Sequence, residues 1–256
     1  MRSRPTPFVV LTKARSGSSW LIELLDSHDE VVAFGEMFGE LGGYGADGLP
    51  SFDEFSRVRP GWPGPLLRAA YLRRLFAVDP AARAIGVKVM YGHAGRGVHE
   101  YLTLRRARVV HLIRANVLDA VVSYEVAKAR DQFEVREGSS TRPMTVSLDP
   151  STIRQRLEQH SFSIEQARAR ILHYRLPWHE VFYEELVARR EETLRGILDF
   201  LDVPPQPLRS SFVPVDDLPR EGVLENLADV REALDGTRFA WMLDEPRRRT
   251  RHASAR

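Results

Sequence analysis

The chain has 256 residues, of which 43% are hydrophobic and 28% charged, a composition typical of a soluble globular protein. It has no cysteine, which excludes disulfides and thiolate metal sites, and no apolar run near the roughly 20 residues that cross a bilayer. The net charge is +2, but residues 247–256 hold five arginines and no acid, so the remainder carries 32 Lys+Arg against 35 Asp+Glu, or −3. We therefore expect a cytoplasmic protein with no nucleic-acid or membrane partner.

Short apolar runs alternate with segments of helical spacing along the chain. The predicted strands are 8–12, 31–34, 84–91, 108–113 and 178–183. The predicted helices are 18–27, 66–76, 116–129, a long one from Asp149-Pro150 past Ile171 with an interruption around 161–163, 191–201 and 224–234. This alternation predicts an α/β fold: a single domain over residues 1–246, with a central parallel sheet flanked by helices. Residues 247–256 are expected to be a solvated, disordered Arg-rich tail.

The first strand runs directly into the segment 13–20, Lys-Ala-Arg-Ser-Gly-Ser-Ser-Trp. A loop of small hydroxyl residues and cations between a strand and a helix is suited to holding a phosphate or sulfate. The alternative is an ordinary polar turn in which a serine caps the helix. The segment is not a Walker A motif, because it has one glycine and no lysine after it, which removes most support for an ATPase or kinase. The candidate residues here are Lys13, Arg15, Ser16, Gly17, Ser18, Ser19 and Trp20.

Two further patterns follow later strands. Arg114 comes directly after the strand 108–113, where open α/β sheets bind ligands, and Ser123 follows nine residues later on the next helix. An arginine and a serine so placed could hold one phosphate, or could be a surface arginine and a helix-face serine. Tyr183, predicted to end the last strand, could stack on a base or belong to the core.

Together, the segment 13–20, the Arg114–Ser123 pair and the segment 183–186 (Tyr-Glu-Glu-Leu) resemble the sulfotransferases that use 3′-phosphoadenosine 5′-phosphosulfate (PAPS). The motifs occur in the family's order over about residues 8–204. The resemblance implies a P-loop-like loop after the first strand that binds the phosphosulfate through Arg15 and residues 16–20. It also implies that Arg114 and Ser123 hold the 3′-phosphate and that Tyr183 supports the adenine.

Two segments resemble a bacterial branch similar to the trehalose and nodulation-factor sulfotransferases: Gly35-Glu36-Met37-Phe38 and the strand Ile85 to Tyr91. That resemblance makes Glu36 the first candidate for the general base that a hydroxyl acceptor requires. His93, shortly after the strand, is the second candidate. The eight histidines show no metal-ligand spacing, so no metal is expected.

The resemblance thus implies an enzyme that moves a sulfuryl group from PAPS to a hydroxyl of a small molecule, either a carbohydrate or a secondary metabolite. The alternatives are a nucleotide-binding protein similar to a kinase or hydrolase, and a non-catalytic binder with a sulfotransferase-like fold. The acceptor and the oligomeric state stay open, with a homodimer among the alternatives. Acceptor choice is expected to depend on residues 35–65 and 131–147.

Overall fold

A computed structural model of the chain describes residues 4–39, 48–133, 144–212 and 222–244. The strands are β1 (Thr6–Thr12), β2 (Val31–Phe34), β3 (Ala84–Met90), β4 (Arg108–Ile113) and β5 (Trp178–Phe182). The helices are α1 (Ser18–Asp26), α2 (Phe52–Arg57), α3 (Gly64–Leu75), α4 (Arg96–Leu104), α5 (Val117–Arg130), α6 (Pro150–His173), α7 (Tyr183–Ala188), α8 (Arg190–Leu201), α9 (Leu227–Leu234) and α10 (Trp241–Asp244). In the part of the chain that the structure describes, no helix is long and apolar enough to cross a membrane.

The strands form one parallel sheet in the order β2-β3-β1-β4-β5, with helices between them in sequence, which confirms the predicted α/β fold. The register places Val10 of β1 beside Lys88 of β3 and beside Val110 of β4. Because every strand runs the same way, the segments that follow β1, β2 and β3 meet at one edge, called here the carboxyl edge. That edge is where the segment 13–20, called here the anion loop, begins.

The chain divides into two compact units. The first comprises residues 1–113 and 166–210 and contains the whole sheet. Its core is an apolar layer in which strand residues such as Val87 and Val109 pack with Tyr71 of α3 and Ile171 of α6. The second unit comprises residues 114–165 and 211–256 and includes α5, α9 and α10.

The predicted strands agree with the structure to within two residues, and β1 to β4 are mostly buried apolar runs. The predicted interruption at 161–163 is wrong, because α6 is continuous and the Ser163 hydroxyl donates to the Gln159 carbonyl one turn earlier (2.7 Å). Tyr183 begins α7 instead of ending β5. The sequence reasoning missed the short helices α2, α4, α7 and α10. Residues 40–47, 134–143 and 247–256, on which other predictions fall, lie outside the described residues.

Candidate active site

The loop after β1 is anchored at its root by side-chain hydroxyls. Thr12 Oγ1 donates to the Leu112 carbonyl oxygen of β4 (2.9 Å) and contacts Ser16 Oγ, which in turn lies 2.8 Å from the Lys13 carbonyl oxygen. Thr12 and Ser16 are buried, so these contacts fix the loop to the sheet. The buried Ser16 hydroxyl of the predicted motif therefore helps to fix the shape of the loop.

The backbone of this loop adopts left-handed conformations at Arg15 (φ 66°) and Gly17 (φ 81°). Turns of this kind aim successive N–H groups at one point, the arrangement that binds anions. Gly17 is also the N-cap of α1 and, as a glycine, supplies no side-chain cap to the first N–H groups of the helix. The helix start and the turn together supply the donors that a phosphate or sulfate requires.

Gly17 is required here by a close approach as well as by its φ angle. A Cβ at this position would lie 2.5 Å and 2.7 Å from ring carbons of Tyr183. Tyr183 is buried at the start of α7, and its ring packs against the loop. The structure thus brings Tyr183 to the anion loop, while its support of adenine stays a prediction.

Lys88 of β3 is the residue of this site that the sequence reasoning did not select. Its side chain is 9% exposed, and its Nζ lies 3.4 Å from Ser19 Oγ and 3.3 Å from Glu36 Oε2. Burial lowers the pKa of Lys88, Glu36 acts in the opposite direction, and the positive charge of Arg15 adds to the lowering. The signal was available, because a charged residue inside a buried strand is rare unless it has a partner or a function.

The two candidate bases lie on segments that follow neighbouring strands. Glu36 comes two residues after β2, and its side chain is about one-third exposed at 36%. His93 lies on the turn after β3, and its ring centroid is 6.2 Å from that of Phe38. Among the described residues, the buried Nδ1 of His93 has no hydrogen-bond partner. Of the two, Glu36 is the one that contacts Lys88.

Two further candidates of the motif, Lys13 and Trp20, have different surroundings. Lys13 is half-buried, and burial lowers its pKa. Trp20 is buried in α1, with the Arg190 guanidinium 5.6 Å from the centroid of its ring system.

In the second unit, Arg114 and Ser123 are both buried. Arg114 is therefore not the surface arginine of the alternative interpretation. The Arg114 guanidinium lies 3.9 Å from Asp119, and its residue is 5% exposed. Asn116 caps α5 by accepting from the Asp119 N–H (3.1 Å), and its amide donates to the Met242 carbonyl (2.9 Å). The segment after β4 is therefore a fixed turn, and the part of Arg114 and Ser123 in holding a phosphate stays a prediction.

A row of polar side chains in contact with one another crosses the sheet near the point where the anion loop leaves β1. The Tyr91 hydroxyl is 2.7 Å from His111 Nε2, and His111 Nδ1 is 3.3 Å from Glu180, which forms two 2.8 Å hydrogen bonds with Arg168. Burial raises the pKa of Glu180, but Arg168 and His111 outweigh it and the pKa is lowered overall. Since β1 lies between β3 and β4, this row crosses below the residues where the loop begins.

Comparison with known proteins assigns the chain to a family. Residues 65–207, just over half of the chain, match the Sulfotransferase family. No curated protein matches the chain. The chain belongs to the sulfotransferase family.

Solved structures of sulfotransferases are similar to the chain at low identity. A sulfotransferase from Alicyclobacillus acidocaldarius is 16% identical, with a TM-score of 0.48, over 95% of this chain and 97% of that one. The sulfotransferase domain from the curacin biosynthetic pathway is 16% identical, with a TM-score of 0.44, over 80% of this chain and 77% of that one. Mouse sulfotransferase SULT7A1, solved in complex with PAP, is 13% identical, with a TM-score of 0.43, over 80% and 62%.

Proposed function

We propose that the protein transfers a sulfuryl group from PAPS to a hydroxyl of a small-molecule acceptor. The observation that carries the proposal is the placement of Lys88: a buried cation touches both Ser19 of the anion loop and the carboxylate of Glu36. A positive charge so held supports a developing negative charge on a transferring group without reorganising during the reaction. The same cation links the donor site to a group that can accept a proton.

The residues present fit such a donor. The N–H groups of residues 17–19 and the cations Arg15 and Lys88 suit a phosphosulfate, and a side chain at Gly17 would close this cradle. Arg114 and Ser123 are assigned to the 3′-phosphate, since an arginine can bind phosphate through two parallel hydrogen bonds. Tyr183 is assigned to the adenine.

When bound, PAPS supplies an activated sulfuryl group: the acceptor oxygen bonds to sulfur while the bond from sulfur to the 5′-phosphate oxygen breaks. The protein must hold these groups in line and accept the hydroxyl proton. Glu36 is assigned as the base, because its carboxylate contacts Lys88, which in turn contacts Ser19 of the anion loop. His93, with its unpartnered Nδ1 in the described part of the chain, is the alternative base.

Calorimetry with adenosine 3′,5′-bisphosphate, the product nucleotide, tests the donor assignment. We expect binding of this nucleotide and much weaker binding of ATP, which lacks the 3′-phosphate. Equal affinity for the two would refute the assignment of Arg114 and Ser123. A radiolabelled sulfate-transfer assay over hydroxyl acceptors then separates an enzyme from a non-catalytic binder.

A further inference from the structure

A second feature of the first unit lies near the carboxyl edge and contains none of the candidate active-site residues. We call residues 58–66, the connection between α2 and α3 together with the first three residues of α3, the apolar tip. A Cβ on Gly97, near the start of α4, would lie 2.1 Å from the Pro65 carbonyl oxygen, so the two helix starts are in contact. Because α4 follows the carboxyl end of β3 after a short turn, the apolar tip lies on the same side of the sheet as the anion loop.

The apolar tip exposes large hydrophobic side chains that a water-soluble surface would normally bury. Val58 is 72% exposed, Trp62 50% and Leu66 59%. The prolines between them, at positions 60, 63 and 65, are also exposed. Scattered apolar side chains are ordinary at a surface, but three large exposed ones within nine residues are a concentration that favours a contact.

The apolar tip itself contains one arginine, Arg59, and the helices on either side of it add four more. From Phe55 to Val78 the chain has no Asp or Glu and five arginines: Arg57, Arg59, Arg68, Arg73 and Arg74. This local charge of +5 contrasts with a chain whose total is +2. Two of these arginines are held at the base of the tip, with Arg59 3.8 Å from the ring centroid of Phe55 and Arg68 5.5 Å from that of Phe52.

We propose that the apolar tip docks on an anionic lipid bilayer. Trp62 and the neighbouring aliphatic groups would enter the interface, where tryptophan is favoured, and the arginines would lie at the level of the anionic headgroups. Three prolines, at positions 60, 63 and 65, lie among these apolar side chains and restrict the backbone that presents them. Docking needs no spanning helix, but the proposal departs from the expectation, drawn from the sequence, that the protein has no membrane partner.

Docking through the apolar tip would narrow the class of acceptor, an inference that rests on the proposed function. A protein docked through this tip turns the carboxyl edge, and with it Glu36 and the anion loop, toward the bilayer. The acceptor hydroxyl would then be carried by a molecule that resides at the membrane surface, such as a lipid headgroup.

Vesicle co-sedimentation tests the docking without any nucleotide or acceptor. The full chain is mixed with vesicles of phosphatidylcholine alone and with vesicles of equal parts phosphatidylcholine and phosphatidylglycerol. We expect partitioning to the anionic vesicles, weakened by added salt. The double variant Arg57→Gln/Arg73→Gln should partition about 30-fold less, at the usual contribution of each arginine near such a surface. Trp62→Ser should also lose most of the binding.

Matched variants separate this site from general effects. Trp241→Ser removes a tryptophan of similar exposure (46%), and Arg170→Gln/Arg195→Gln removes two exposed arginines elsewhere; both should bind as the wild type does. Equal binding to neutral and anionic vesicles, or wild-type binding by Trp62→Ser, would overturn the proposal. So would binding to polyglutamate as tight as to vesicles, which would indicate an acidic protein partner, or a dimer that Trp62→Ser dissociates. Because calorimetry with the nucleotide is separate, failure here leaves the donor assignment intact.

Discussion

Replacing Lys88 by methionine tests the feature on which the proposed function depends. Methionine keeps the length and most of the apolar stem of lysine but removes the ammonium group that contacts Ser19 and Glu36. The side chain is 9% exposed, so the replacement enters a space that already excludes water. The variant therefore separates the positive charge from the packing.

The magnitude follows from the contacts. A hydrogen bond to a charged partner contributes about 1.5–3 kcal/mol, so the dissociation constant for adenosine 3′,5′-bisphosphate should rise about 10- to 150-fold. Stability should change little or increase, because burying the ammonium is costly and the remaining Glu36 is exposed enough to be hydrated. We therefore expect weaker nucleotide binding together with an unchanged or higher melting temperature.

The assay is calorimetric titration, with thermal denaturation of the same samples. The control is Arg83→Met, which removes an exposed cation paired with Glu30 at 3.9 Å. Less than a threefold loss of affinity in Lys88→Met, with the fold intact, would refute the placement of Lys88 at the donor.

The pH dependence of binding gives a second readout of the same charge. The pKa of Lys88 is lowered from the ordinary value of 10.5, so its charge is present at low pH and lost as pH rises through the lowered value. Nucleotide affinity should therefore fall at an alkaline pH below 10.5. In Lys88→Arg, whose guanidinium stays protonated, that alkaline fall should be absent.

Four other changes have defined outcomes. Gly17→Ala should raise the nucleotide dissociation constant at least about tenfold and lower the melting temperature, since it combines a left-handed backbone with a ring contact. Glu36→Gln should lower kcat about 10²- to 10⁴-fold in the sulfate-transfer assay, and near wild-type turnover would move the base to His93. Arg114→Ala should weaken nucleotide binding at least about tenfold, and unchanged calorimetry would remove it from the donor site. Glu180→Gln should destabilise the protein at neutral pH but not in acid, because a lowered carboxyl pKa stabilises above the ordinary value of 4.5 and that gain is lost as pH falls through the lowered value; an equal effect at both ends of a denaturation series would contradict this.

The sheet could be predicted from the sequence because buried parallel strands are short continuous apolar runs. Val31–Phe34 and Arg108–Ile113 have the predicted bounds for this reason. The short helices could not, since α2 and α7 have six residues each, too few to establish a helical period. Tyr183 shows the consequence: the apolar run continues through it, yet its backbone has already turned into α7.

The pairing of Glu36 with Lys88 could not be predicted, because it depends on register. Phe34 pairs with Val87 across β2 and β3, and this alignment carries Glu36 to the neighbourhood of Lys88, 52 positions away in sequence. A shift of one residue would turn the Lys88 side chain to the opposite face of the sheet. Sequence motifs could identify Glu36 as a candidate, but only the assembled sheet shows which cation it contacts.

Keeping the partly buried lysines at the anion loop charged costs free energy of folding, and a bound anion would offset that cost. Burial lowers the pKa of Lys13 and of Lys88, and the charge of Arg15 lowers that of Lys88 further. Lowered lysine pKa values mean that the folded protein pays for holding these groups charged at neutral pH. An anionic ligand offsets this cost and binds only the folded state, so saturating adenosine 3′,5′-bisphosphate at 100 times its dissociation constant should stabilise the protein by about 2.7 kcal/mol. The fold thus accepts local electrostatic strain where we propose that a sulfuryl donor binds. Because the stabilisation at a fixed ratio of ligand to dissociation constant is the same for every ligand, the affinity lost in Lys88→Met, and not the rise in melting temperature, measures what the buried charge contributes.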